Sequence, residues 1–141
     1  MAYRDEIARL EAMHADNPEG RVFAHLAEAY RKKGQLERAR EVLQSGLERH
    51  PQYASAHVVM GRVLLDLQEL DAADAAFHTV LGLDPHNMVA LRARGDIAHA
   101  EGRTDDALRY YRDLISLDPS DDQVVLRVAE LEAGRPLAPP L

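Results

Sequence analysis

Apolar residues recur along this chain at helical spacing, in runs that each stop at a proline. Val42-Leu43-Leu47, Phe77-Val80-Leu81 and Tyr111-Leu114-Ile115 precede Pro51, Pro85 and Pro119, and the three prolines are 34 residues apart. Proline lacks the N–H that a helix interior needs, so each marks the end of one helix and the turn into the next. Other features repeat at the same interval: Ala39, Ala73 and Ala107; Leu43, Phe77 and Tyr111; Ala27, Gly61 and Gly95; Leu36, Leu70 and Thr104. The small residues let antiparallel helices approach closely, and the large ones fill the space between them. Gly34 and Gly102 can take the positive φ that ends a helix. Gln68 stands at that place in the middle unit without glycine's freedom, so that turn is expected to be tighter or strained. Residues 2–15 add a helical pattern with Tyr3, Ile7, Leu10 and Met13 or His14 on one side, broken at Asn17-Pro18-Glu19-Gly20. Residues 121–133 add another, with Val125, Val128, Ala129 and Leu131, ending at Gly134. The total predicted is eight helices: one at each end and three pairs between.

Composition agrees with helix. Hydrophobic residues make up 46% of the 141 residues, enough for a core, and aromatics only 5%, which disfavours strands. Seventeen basic against 24 acidic residues leave a formal charge of −7, which argues against general nucleic-acid binding. With no cysteine, disulfides and thiolate zinc sites are excluded. Residues 1–11 contain no apolar run, so no signal peptide is expected, and no stretch reaches the roughly 18 apolar residues of a membrane helix. A soluble, cytoplasmic protein without membrane insertion is the expectation.

The repeat resembles the tetratricopeptide family, whose pattern is W-x2-L-G-x2-Y, A-x3-F and P over 34 residues. Here the first unit reads Phe23-x2-Leu26-Ala27-x2-Tyr30, Ala39-x3-Leu43, Pro51. The second reads His57-x2-Met60-Gly61-x2-Leu64, Ala73-x3-Phe77, Pro85, and the third Leu91-x2-Arg94-Gly95-x2-Ala98, Ala107-x3-Tyr111, Pro119. The resemblance implies an all-α, right-handed α-solenoid: a capping helix at 1–19, repeats at 20–53, 54–87 and 88–121, a solvating helix at 122–134 and a proline-rich tail at 135–141. Caps need a polar outer face. Arg94 departs from the pattern where Leu26 and Met60 stand; its stem is expected to pack while its guanidinium reaches solvent or an acid.

No catalytic constellation accompanies the repeat. There is no phosphate-cradling glycine loop, no HExxH and no GxSxG. None of the seven histidines pairs at ligand spacing; His57 sits in a packing slot, and His25 and His99 lie on first helices. The expectation is a protein that is not an enzyme and has no cofactor or metal.

The resemblance implies that first helices line a concave groove. The inward stripes are Arg21, Ala24, Glu28 and Arg31; Ser55, Val58, Arg62 and Leu65; and Val89, Arg92, Asp96 and His99, with Gln123, Leu126 and Glu130 from the last helix. The partner-contacting set is taken as Arg21, Glu28, Arg31, Val58, Arg62, Leu65, Val89, Arg92, Asp96 and His99. Glu28, Arg62, Asp96 and Glu130 share one rung, so Arg62 either joins a ladder between Glu28 and Asp96 or, with Arg92, meets a partner's carboxylates. Ala24, Val58, Leu65, Val89 and Leu126 would form an apolar patch suited to a helix or an extended peptide. The clamp by which some members hold chaperone C-termini has no match, since the corresponding places hold Ala24, Glu28, Val59, Val89 and Ala93. The function expected is a protein-interaction scaffold binding a peptide or helix of a partner protein; the alternative is a module that assembles with itself, such as a homodimer.

Overall fold

The computed structural model describes residues 2–134. The proline-rich tail predicted at 135–141 and the side chain of Tyr3 lie outside the described residues. Among those described there are eight α-helices and no strand: α1 (Ala2–Asp16), α2 (Phe23–Lys32), α3 (Leu36–Arg49), α4 (Ala54–Asp66), α5 (Leu70–Leu83), α6 (Met88–Ala100), α7 (Thr104–Leu117) and α8 (Asp122–Gly134). They fall into two units, Met1–Asp84 with α1 to α5 and Pro85–Leu141 with α6 to α8.

Helix ends follow the 34-residue interval. After α2, α4 and α6 the chain turns through Gly34, Gln68 and Gly102 at φ 84°, 62° and 76°. The next amide in each case donates back across the turn, Gln35 to Tyr30 O at 2.8 Å, Glu69 to Leu64 O at 2.9 Å and Arg103 to Ala98 O at 2.8 Å. This pairing satisfies carbonyls that the helix end would otherwise orphan. Gln68 therefore adopts the glycine conformation despite its side chain, which is the strain the sequence suggested. At the other ends of the pairs, His50, Asp84 and Asp118 leave the helical region, which a following proline disfavours, with φ of −128°, −143° and −140° and ψ of 66°, 89° and 84°.

Close helix approach sets the core of each pair. A Cβ built on Gly61 would lie 2.5 Å from the Phe77 ring, and one on Gly95 would run into the Tyr111 ring. Gly61 packs α4 on α5, and Gly95 packs α6 on α7. Phe77 and Tyr111 are both fully buried. In the first pair, Gly46 of α3 admits the ring of Phe23, a close approach that the 34-residue alignment does not reveal.

The end helices are anchored by tyrosine hydroxyls. α1 buries Ile7 and Leu10, and Tyr30 of α2 donates to Glu11 Oε2 at 2.7 Å. Burial and the neighbouring Glu11 carboxylate push the Tyr30 phenol up from its ordinary value. On α8, Val124 is buried, and Arg127 donates to Asp96 and, at 3.2 Å, to the Tyr111 hydroxyl. The expected polar outer face holds for α1 only in part, since Met13 is exposed. It fails on α8, where Val125 and Leu126 are 43% and 59% exposed.

Candidate partner-binding surfaces

In the first unit the candidate residues lie on α4, on α2 and just ahead of α2. Glu28 is at the centre: it accepts from Arg31 Nε at 2.5 Å through one carboxylate oxygen and from Arg62 Nη1 at 3.2 Å through the other. Arg31 also donates to Asp66 Oδ2 at 3.0 Å, so four charges on two helices form one connected network. Burial alone would raise the Glu28 carboxyl, but the hydrogen bond and charge of Arg31, with the charges of Arg62 and Lys32, outweigh it and hold it below the usual range. Arg31 is pushed up by the same hydrogen bond. Arg62 is thus half of an internal pair. Val58 and Leu65, also on α4, are partly exposed beside this network. Arg21, just ahead of α2, is exposed and lies 5.0 Å over the Tyr53 ring, a cation–π contact.

Ala24 has to be removed from the apolar patch: it is 4% exposed and belongs to the core. A helical stripe of nominal spacing i, i+3 drifts around the axis, and here one of its members rotates into the interior. Ala24, Val59 and Ala93 are all buried, and the other two clamp positions hold Glu28 and Val89, so no cation stands at any of the places that would form a carboxylate clamp.

In the second unit the pattern changes. Val89 is 40% exposed and His99 is exposed on α6, but Arg92 and Asp96 both have partners in the unit. Arg92 pairs with Asp121, which also accepts from the Val124 N–H at 3.3 Å and so caps the start of α8. Asp96 accepts from the Tyr111 hydroxyl at 2.5 Å and from Arg127. Burial, reinforced by the hydrogen bond to Asp96, pushes the Tyr111 phenol up to about 12. The sequence placed Asp96 on an open rung beside Arg62; the fold commits its carboxylate to holding α8. Arg94 is partly exposed with its guanidinium 4.7 Å over the Tyr110 ring, so its charge is kept at an aromatic face rather than buried alone.

Four participants lie outside the candidate set: Asp66, Asp121, Arg127 and the hydroxyl of Tyr111. Arg31 and Asp66 are 35 residues apart, and Arg92 and Asp121 are 29 apart, as are Arg40 and Glu69, which also pair. These spacings depart from the 34-residue interval, which therefore does not point to them.

His57, in its packing slot, donates its Nε2 proton to the Pro51 carbonyl at 2.7 Å. His25 and His99 are exposed, and among the described residues no group of three acidic or histidine side chains could hold a metal. No helix among the described residues is long and apolar enough to cross a membrane.

Paired antiparallel helices at a fixed interval, with partly exposed first helices, define an all-α helical-repeat protein. A tetratricopeptide repeat family model matches residues 58–122, and a model described as subunit 3 of the anaphase-promoting complex, or cyclosome, matches residues 1–80. The chain belongs to the tetratricopeptide repeat family, whose members are in general interaction modules and not enzymes. It is 31% identical over 113 residues to the protein CTR9 homolog of Arabidopsis thaliana, covering 77% of this chain but 10% of that protein. The crystal structure of TTC0263, a thermophilic tetratricopeptide protein of Thermus thermophilus, superposes with a TM-score of 0.78 at 26% identity, over 94% of this chain and 74% of that one. The first repeat domain of Spaghetti (RPAP3), bound to the HSP90 peptide SRMEEVD, superposes with a TM-score of 0.74 at 16% identity, over 79% of this chain and 89% of that one.

Proposed function

We propose that this chain is a non-enzymatic scaffold that holds a peptide or helix of a partner protein on its first helices, within repeats at 20–53, 54–87 and 88–121. The observation that carries this reading is the surface of α4. Val58 and Leu65 are partly exposed beside a charge network whose members already fix one another. Apolar area gives affinity, and an ordered polar rim gives orientation without having to be organised on binding. Arg21 beside α2, and Val89 and His99 on α6, extend the contacts proposed within their own units.

Because Arg31, Arg62 and Arg92 are each paired internally, the preferred ligand carries apolar anchors and not a dense run of carboxylates. The acidic peptide SRMEEVD, which the RPAP3 domain holds, is therefore expected not to bind in a calorimetric titration up to about 1 mM. Peptides selected from a displayed random library against the chain test the surface directly. Leu65→Glu and Arg62→Glu, made separately, should each weaken the selected peptides by about tenfold or more while the circular dichroism spectrum stays helical. Undiminished affinity in both variants would move the site off α4.

A further inference from the structure

α8 stands in the sequence where a first helix belongs. Val125, Val128 and Ala129 lie 34 residues after Leu91, Arg94 and Gly95, and Gly95 lies against the ring of Tyr111 on the second helix of its pair. On α8 the equivalent side chains are open: Val125 is 43% exposed, Ala129 is exposed and Val128 is half-buried.

The chain holds three examples of how such a face is covered. Gly61 faces Phe77 and Gly95 faces Tyr111, while at the same places the first pair has Ala27 and Leu43, both fully buried. Where the small residue gains a methyl group, the large residue opposite is a leucine in place of an aromatic ring. Volume conservation in a close-packed interior requires this exchange. Each covering helix also has an alanine four residues before its large residue: Ala39, Ala73 and Ala107. Ala129 resembles Ala27 and so calls for leucine.

We infer that the outer face of α8 is a docking surface for an amphipathic helix of another protein, carrying Ala-x3-Leu and running antiparallel to α8. The helix has basic flanks. Asp122 and Glu130 make the edges of α8 acidic, while Glu132 is paired with Arg112 at 2.6 Å and the one cation of α8, Arg127, is committed to Asp96 and Tyr111. A second copy of this chain is a poor occupant. The end helix it would offer, α1, has Glu6 where the covering helices have alanine, four residues before a Leu10 already buried. The sequence after α8 has prolines at 136, 139 and 140, which none of the covering helices contains.

The test uses the isotope-labelled 141-residue chain and a synthetic peptide of its own residues 34–51, which contains Ala39-x3-Leu43. Amide shifts should be largest in α8, and binding should saturate below about 1 mM. A peptide with Leu43→Ala should bind about tenfold more weakly, a change that leaves the protein's fold untouched. A peptide with Leu43→Phe should bind the chain poorly but regain affinity for the Ala129→Gly variant, reversing the preference. Shifts that map away from α8, equal binding of the Leu43→Ala peptide, or no saturation would each overturn the proposal. So would sedimentation showing that the chain dimerises on its own and that Val125→Glu abolishes the dimer, since a second copy would then be the occupant.

Discussion

Phe77 on α5 and Tyr111 on α7 occupy the same place in the 34-residue register, each pressed against a glycine of the preceding helix and each fully buried. The phenylalanine has no polar group to satisfy. The tyrosine carries one more atom, and the structure uses it: its hydroxyl donates to Asp96 and accepts from Arg127, tying α8 to the α6–α7 pair. The turns differ as well, with Gln68 strained at φ 62° in one pair and Gly102 at ease at φ 76° in the other. The rung residue differs too, since Arg62 pairs with Glu28 while Asp96 serves the tyrosine network. One repeat geometry thus supports a dry pair with a strained turn in the first unit, and a relaxed pair with a polar latch in the second.

The largest expected effect is at the shared large residue. Phe77→Ala should cost roughly 3–5 kcal/mol of stability in chemical denaturation, because α4 cannot collapse fully onto the void. A loss below about 1 kcal/mol would mean that Phe77 is not the core of its pair. Tyr111→Phe keeps the ring and deletes only the latch. It should cost about 1 kcal/mol and leave the amides of α8 exchanging faster, with little change in α6 and α7.

The latch also has a pH signature. The Tyr111 phenol is higher folded than unfolded, so its contribution is complete below its ordinary pKa near 10 and is lost as the pH rises towards about 12. Absorbance titration should show a phenol titrating at about 12 that disappears in Tyr111→Phe, while the raised Tyr30 phenol remains.

Gln68→Gly should make the two turns alike and raise stability by about 0.5–1 kcal/mol, the relief of left-handed strain being partly offset by glycine's looser unfolded state. No gain would show that the strain at this turn is no larger than the entropy glycine adds to the unfolded chain. The smallest effect is expected at the rung. Arg62→Ala removes a pair whose arginine side chain is 38% exposed, and should change stability by less than about 1 kcal/mol. A larger loss would mean that the network around Glu28 holds the first unit together as the latch holds α8.

Much of the fold was legible in the sequence. Prolines, alanines and the Leu43–Phe77–Tyr111 series predicted the three helix pairs, because backbone chemistry at a turn and volume at a close contact are local requirements repeated at one interval, and the apolar patterns at 2–15 and 121–133 predicted the two end helices. Even the strain at Gln68 could be read from its place between Gly34 and Gly102. The candidate surface was far less legible. Stripe spacing put Ala24 on the surface, yet one helical step of drift buries it. Charge alternation placed Arg62 beside Glu28 correctly, but it gave no hint that Asp96 would be claimed by a tyrosine hydroxyl and by an arginine 31 residues further on.

The sequence by itself thus determined the helices, their pairing and the residues that fill them, since each follows from short-range sterics and a constant volume at fixed spacing. Only the tertiary structure decided which charges are already spent and which apolar side chains stay open. Those depend on where long arginine side chains can reach, and on whether another helix lies across Val125 and Ala129.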